Sequence, residues 1–197
     1  GDSIPAFKYQ LVGEELHIEG TGDPTFLHPK YKNTRALDFL KHTGTKIVFH
    51  WNNFDEESFL PGWTWDDFRQ DYSPARSQFP INENMVSISK TGNLVKTFPT
   101  YFEQFTQIKE ALEPRDFFEN KFYINQKKRS EKVPFIVNEL VLEKSLSEIL
   151  GKPVDMIKSP MLANSTIYYS QKSDDVYREM MENSDNFLAE HLLILAS

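Results

Sequence analysis

The feature that most constrains the fold is a polar interruption in an apolar helical pattern near the C-terminus. The large apolar side chains that recur there at the helical period are Tyr177, Met181, Leu188, Leu192 and Leu195. Ser184 falls on the same stripe, where packing against a core would favour an apolar side chain. The polar residue therefore calls for a structural or a functional explanation.

Asn186 bears on which explanation holds. It lies two residues after Ser184, so in one unbroken helix its side chain would point to nearly the opposite side. If Ser184 and Asn186 serve one site, the helix must break between residues 183 and 186. Asn, Ser and Asp suit a break, because they compete for backbone hydrogen bonds inside helices and are favoured as N-caps.

Composition bounds the class of protein. With 197 residues, 39% hydrophobic content and 16 Phe, the chain can bury a core as one domain or as two small ones. A net charge of -7 argues against a nucleic-acid partner, and the basic run Lys127–Arg129 is too short to offset it. No apolar run is long enough to predict a transmembrane segment. The absence of cysteine excludes disulfides, thiol nucleophiles and thiolate metal sites.

The periodicities predict an α+β fold with a mixed β-sheet and covering helices. A β-hairpin is expected over Tyr9–Glu19 with its turn at Gly13 and Glu14, and Lys46–Trp51 is the clearest strand. Further strands are predicted over 85–89, 117–124 and 133–137. Helices are predicted from about residue 25 to 41, over 98–112 and over 140–150, the last closed by Gly151.

Three short strings match motifs of penicillin-recognising serine enzymes: Ser-x-x-Lys at 87–90, Lys-Thr-Gly at 90–92 and Ser-Asp-Asn at 184–186. The first two share Lys90, and one ammonium cannot serve both roles. Ser-x-x-Lys also requires a helix, whereas 85–89 is predicted to be a strand. We interpret both Lys90 strings as coincidental, which leaves Ser184-Asp185-Asn186.

The surroundings of that tripeptide carry a wider resemblance. Residues 181–193, with Met181, Ser184-Asp185-Asn186 and Ala-Glu-His-Leu-Leu, resemble the second active-site motif of the class C low-molecular-mass penicillin-binding proteins, the D-alanyl-D-alanine carboxypeptidase/endopeptidase family. Other segments resemble that family in the same order. They are Glu19–Thr25, Trp63–Phe68, Tyr72–Ser77, Asn82–Asn84 and Lys158–Leu162. Arg76 and Gln78 depart from it, because small or apolar residues are usual beside its Ser-Pro motif.

The resemblance implies a serine-type D-Ala-D-Ala carboxypeptidase or endopeptidase acting on peptidoglycan peptides, inhibited by β-lactams and located outside the cytoplasm. Ser184 would relay a proton to the leaving amine, and Asn186 would hold the catalytic lysine and the substrate amide. Asp185 would point away and support the turn. In the family, the nucleophilic Ser-x-x-Lys precedes the Gly-Asp-Pro-Thr segment and Lys-Thr-Gly follows Ser-x-Asn. The chain is therefore expected to be an internal portion that is inactive alone.

The same resemblance divides the chain into three expected regions. Residues 1–99 would be an insert domain with a mixed sheet, 100–155 a second insert subdomain, and 156–197 a helical part of the transpeptidase-like domain. Carboxypeptidase and endopeptidase preference, oligomeric state and the role of 100–155 stay open.

Two other classes of function remain open. The chain could be a non-catalytic relative that binds peptidoglycan or a partner protein, or an unrelated interaction domain. No cofactor or metal site is predicted, because the five histidines form no His-x-His or His-x-x-x-His pair. Asp66 and Asp67 could share a cation, although capping and solvation explain them as well.

Overall fold

The computed structural model describes residues 2–51 and 70–196. Within these residues, ten strands and four α-helices have the following bounds. The strands are β1 Ser3–Val12, β2 Glu15–Gly20, β3 Lys46–His50, β4 Met85–Thr91, β5 Leu94–Phe98, β6 Thr106–Ile108, β7 Phe122–Ile124, β8 Ser130–Pro134, β9 Val154–Ile157 and β10 Thr166–Lys172. The helices are α1 Arg35–His42, α2 Glu139–Leu150, α3 Ser173–Asn183 and α4 Asn186–Ala196.

The main sheet is mixed and has the strand order β10-β1-β2-β3-β9. β10, β1 and β2 pair antiparallel, whereas β2, β3 and β9 pair parallel. Its core includes Phe7, Ile18 and Phe49, onto which α1 packs Leu40 and α2 packs Leu146. The predicted α+β class with a mixed sheet and covering helices is confirmed.

A second sheet of order β5-β4-β8 and a two-stranded pair of β6 and β7 enclose a separate core. That core includes Val86, Phe102, Phe122 and Val133. A third cluster joins Ile4 of β1 to Val176 of α3 and to Phe187, Leu188 and Leu192 of α4. The last helices are therefore fixed to the start of β1.

Several sequence predictions are confirmed. The hairpin forms with Gly13 in its turn at φ 61°, a left-handed value that glycine adopts without cost. The predicted strands at 46–51 and 85–89 appear as β3 and β4. α2 begins at an Asn138 cap, whose side chain accepts the Val141 N–H, and it ends at Gly151 in the left-handed conformation.

One predicted helix is wrong, and another begins about ten residues later than predicted. Residues 98–112 contain a 3-10 helix over Thr100–Phe105 and then β6, because Thr106–Ile108 pairs with Phe122–Ile124. The first helix begins only at Arg35. The side chain of Asp23 accepts the Thr25 N–H in a local turn, and Leu27 has φ 56°, so residues 24–27 cannot be helical.

The three expected regions remain predictions, and both larger sheets cross their boundaries. β10 lies in the third region and pairs with β1 in the first, while β8 of the second region pairs with β4. The expectation of a helical 156–197 is wrong for its first part, since Thr166–Lys172 is a strand. Trp63–Phe68, with Asp66 and Asp67, lies outside the described residues.

Among the residues described, no helix combines the length and the apolar character that crossing a bilayer requires.

Candidate functional site

The helix break predicted at 183–186 is present. α3 ends at Asn183 and α4 begins at Asn186, and Ser184 between them has φ 51° and ψ 45°. The Asp185 side chain caps α4, because its Oδ1 accepts the Leu188 N–H at 3.1 Å. The polar residues thus end one helix and begin the next.

The break exposes both predicted site residues on one pocket. Ser184 and Asn186 are exposed, whereas Phe187 and Leu188 directly after them are buried. The pocket has a volume of about 240 Å³ and is also lined by Asp71, Tyr72, Pro74, Glu83, Met85, Asn183 and Asp185. Asp185 therefore supports the turn and lines the pocket as well.

The prediction of one apolar stripe along this segment is only partly correct. Tyr177 and Met181 are 48% and 75% exposed, and α3 instead buries Val176. α4 does bury Leu188 and Leu192. Because the helices are separate, the residues before and after Ser184 do not share one continuous face.

The opposite wall of the pocket comes from an unusual turn over Asn82–Asn84. All three residues have left-handed φ, at 51°, 59° and 52°. The Asn84 amide donates to the Ala75 carbonyl at 2.8 Å and to Ser77 Oγ at 2.9 Å. Asn and Asp tolerate this conformation better than other non-glycine residues, and these side-chain bonds hold the turn in place.

His191 ties α4 to the segment that precedes this turn. The imidazole is fully buried, its Nε2 accepts the Ser77 N–H at 3.2 Å and its Nδ1 donates to the Phe187 carbonyl at 2.9 Å. Burial lowers the pKa of His191 to about 4, so the ring is neutral at physiological pH. A neutral ring is the form that can accept one bond and donate the other.

The Gly-Asp-Pro-Thr segment packs against the same region. The Gly22 N–H donates to the Gln78 carbonyl at 2.8 Å. A Cβ on Gly20 would lie 2.3 Å from that carbonyl oxygen, so only glycine fits. Burial raises the pKa of Asp23 to about 6. The structure thus brings together Glu19–Thr25, Ser73–Gln78, Asn82–Asn84 and Asp185–His191.

The two departures from the family pattern have partners. Arg76 is buried, and its Nε lies 3.8 Å from Oε2 of Glu190. The Gln78 amide donates to the His50 carbonyl at 3.1 Å. His50 Nδ1 in turn lies 3.1 Å from the Ser159 carbonyl oxygen, within the Lys158–Leu162 segment. The polar side chains are thus accommodated in the fold.

The Lys90 strings belong to the second sheet, away from this pocket. Ser87 and Lys90 lie on β4, where positions three apart point to opposite faces. The Lys90 ammonium donates to the Gln126 carbonyl at 2.9 Å. Ser-x-x-Lys therefore does not form a catalytic pair here.

Two further polar residues at the site were not predicted as functional. His28 is 1% exposed and its Nε2 lies 3.2 Å from Glu83 Oε1, while Glu83 also forms an ion pair with Lys132. Burial lowers the pKa of His28 to about 4, against the opposing influence of Asp185. Sequence spacing could not have joined His28, Glu83 and Asp185, because the three residues come from three separate segments.

No protein-family model matches the chain, and no curated protein matches it in sequence. The solved structure of penicillin-binding protein 4 (dacB) from Haemophilus influenzae is similar, with a TM-score of 0.68 and 16% identity over 98% of this chain and 52% of that chain. Another structure of that protein, complexed with a novel β-lactam, gives a TM-score of 0.48 and 14% identity over 98% of this chain and 50% of that chain. The likeness shows a shared fold, and this chain spans about half the length of the protein it matches.

Proposed function

We propose that the chain is part of a class C low-molecular-mass penicillin-binding protein, a serine-type D-Ala-D-Ala carboxypeptidase or endopeptidase that acts on peptidoglycan peptides outside the cytoplasm. Ser184 and Asn186 would form one wall of its active site. The observation that carries the proposal is the helix break, which exposes both side chains on one pocket while Phe187 and Leu188, which follow them, are buried. The shared fold with penicillin-binding protein 4 supports it independently.

In the proposed reaction, a serine Oγ attacks the carbonyl carbon of the D-Ala-D-Ala peptide bond. The peptide bond breaks, the leaving D-alanine amine takes up a proton, and an acyl-enzyme ester remains until water hydrolyses it. Ser184 passes that proton to the amine. Asn186 orients the substrate amide and the lysine that serves as base. The nucleophile and the base belong to a Ser-x-x-Lys motif outside these 197 residues.

The backbone geometry suits these roles. Ser184 is exposed, lies at the left-handed break between the two helices and lines the pocket, where a substrate can approach it. Asn186 Nδ2 lies 3.4 Å from the Tyr72 carbonyl oxygen, a long contact that restrains the carboxamide weakly. The buried Phe187 and Leu188 anchor the start of α4 and so fix the position of Asn186.

Acylation by a fluorescent penicillin tests the proposal. The natural full-length protein should be labelled, and Ser184→Ala or Asn186→Ala should slow labelling by about 10²- to 10³-fold, as removal of one proton-transfer or orienting group does. Ser87→Ala is the matched control, because that serine belongs to the coincidental Ser-x-x-Lys string, and it should leave the rate unchanged. The 197-residue chain alone should not be labelled.

Two results would contradict the proposal. One is a specific serine-dependent acyl adduct on the 197-residue chain alone. The other is a Ser87→Ala variant that loses labelling while Ser184→Ala is labelled at the wild-type rate. Binding of the full-length protein to peptidoglycan without any acylation would favour a non-catalytic relative.

A further inference from the structure

Three side chains from distant segments converge beside the pocket. They are His28 from the loop before α1, Glu83 from the left-handed turn and Asp185 from the helix break. Their nitrogen and carboxylate oxygen atoms lie within 4.8 Å of one another. One imidazole nitrogen and two carboxylate oxygens form a ligand set that zinc and similar divalent ions accept. We propose that these three residues bind a divalent metal ion of the zinc class, a property separate from the acyl-transfer function.

Each carboxylate has one oxygen fixed and one left for a metal. Oε2 of Glu83 pairs with the Lys132 ammonium, while Oε1 faces the imidazole of His28. Oδ1 of Asp185 accepts the Leu188 N–H, which leaves Oδ2 for coordination. Outer-shell partners of this kind hold ligands in place before the metal arrives. The two carboxylates are therefore pre-oriented.

The imidazole supplies the observation that points to a ligand. His28 is 1% exposed, and although its Nε2 lies 3.2 Å from Glu83 Oε1, that contact lacks hydrogen-bond geometry, so Nε2 makes no hydrogen bond within residues 2–51 and 70–196. A buried polar atom without a partner is destabilising, and coordination through its lone pair would remove that deficit. Its Nδ1 accepts the Lys30 N–H at 3.2 Å. Coordination through Nε2 places the ring proton on Nδ1, which can then no longer accept that bond, so the Lys30 amide must turn away. Pro29 and Lys30 are exposed, which leaves the loop room to adjust.

The surrounding charge favours a cation. Glu83, Asp185 and the nearby Glu179 carry three negative charges against the two ammonium groups of Lys132 and Lys30, and Asp71 adds a further carboxylate to the pocket lining. Because Glu83 and Asp185 both line the pocket, a metal held by them would have an open coordination position on that side. Sites with three protein ligands and one open position are typical of zinc that contacts solvent or a ligand.

Zinc titration of the 197-residue chain tests the proposal. After dialysis against EDTA and its removal, calorimetric titration with ZnCl₂ at neutral pH should show one equivalent bound. His28→Gln and Glu83→Gln should each weaken binding by at least about tenfold, the lower range seen when a metal site loses a supporting group. Co²⁺ in place of zinc should give the intense visible absorption of a four-coordinate ion, and His28→Gln should abolish it.

Two matched variants control for other sites. His17→Gln removes an imidazole whose Nδ1 lies 2.9 Å from Nε2 of His50, a pair of histidines outside the cluster. Glu179→Gln removes a nearby carboxylate that pairs with Lys30 and lies outside the cluster. Zinc binding should be unchanged in both, and far-UV circular dichroism should confirm that all variants are folded.

The proposal is overturned if the wild-type chain binds no zinc, if binding survives both His28→Gln and Glu83→Gln, or if His17→Gln abolishes it. Should a variant fail to fold, the Co²⁺ spectrum of the wild-type chain decides, because absence of a four-coordinate spectrum refutes the site. None of these outcomes affects acylation by a penicillin, so the two proposals fail separately.

Discussion

Ser184 is held in a conformation that serine adopts at a cost. Its φ of 51° and ψ of 45° lie in the left-handed region, where a side chain with a Cβ is less stable by about 1–2 kcal/mol. Glycine is the usual residue in this conformation at the end of a helix. A serine there is a backbone outlier, and such outliers concentrate at functional sites.

Ser184→Gly should therefore stabilise the fold. The substitution removes about 1–2 kcal/mol of left-handed strain, and the greater freedom of glycine in the unfolded chain offsets about 0.4–1 kcal/mol of that gain. The net effect of these two contributions should be a rise of about 0.5–1 kcal/mol in the free energy of unfolding. Ser184→Ala keeps a Cβ and hence the strain, and because the hydroxyl is exposed the change should stay within about 0.5 kcal/mol.

Equilibrium urea denaturation of the 197-residue chain, followed by far-UV circular dichroism, measures both variants. In the full-length protein, Ser184→Gly should lose penicillin acylation to the same extent as Ser184→Ala, so that stability and activity change in opposite directions. Equal stability of the two variants would refute the strain argument. If the Ser184→Gly variant were acylated by penicillin at the wild-type rate, the functional reason for a serine at this position would be refuted.

Two further predictions concern the support of the site. Gly20→Ala should destabilise the fold by about 1–3 kcal/mol, because the new Cβ would lie 2.3 Å from the Gln78 carbonyl oxygen. Gly20 does not have a left-handed φ, so this cost is steric. Urea denaturation measures it, and a loss below about 0.5 kcal/mol, the range of an ordinary surface substitution, would contradict the steric argument. Burial lowers the pKa of His191 to about 4, below the value of about 6.5 in an unfolded chain, so the unfolded chain binds the proton first as pH falls. The stability that the neutral ring provides is lost between about pH 6.5 and pH 4, up to about 3 kcal/mol. His191→Gln should reduce the difference between denaturation at pH 7 and at pH 4.5, and an undiminished difference would contradict the assignment.

The helix break could be predicted from sequence because its causes are local. Asn183, Ser184 and Asp185 favour caps and turns whatever surrounds them, and the structure ends one helix and caps the next at these residues. Gly151 closed α2 for a similarly local reason. The β3 and β4 strands were equally readable, because their β-branched and aromatic runs are bounded by turn residues.

Tertiary pairing decided the elements that the sequence did not predict. The period of Phe102, Phe105 and Ile108 indicates a helix, yet residues 106–108 pair with β7 and Phe102 fills the second core. On α3 the apolar pattern was assigned to the wrong side, because Val176 reaches the third cluster and Tyr177 does not. The period of apolar residues predicts which side of an element is apolar, but it does not identify the strand or helix that packs against that side.

The site itself was only half predictable. Ser184 and Asn186 were proposed through a motif, and Glu83 lies in the Asn82–Asn84 segment that carries the resemblance, but nothing in the sequence joined Glu83 to His28. The position of Glu83 also depends on a turn of three successive left-handed residues, and the turn contains no glycine that would have predicted this conformation. The turn is held in part by the bonds of the Asn84 amide to Ala75 and Ser77 in the preceding segment, so it appears only once the fold is known.

The pairing of β1 with β10 has a consequence for how the chain is made. Ser3 lies opposite Lys172, so the first strand acquires its outer neighbour only after the residues up to 172 have been synthesised. At ordinary rates of 5–20 residues per second, that delay is about 8–34 seconds. The second core, built from residues 86–141, has its contacts close together in sequence and can form while the ribosome is still at work. An edge of the main sheet therefore stays open during this part of synthesis.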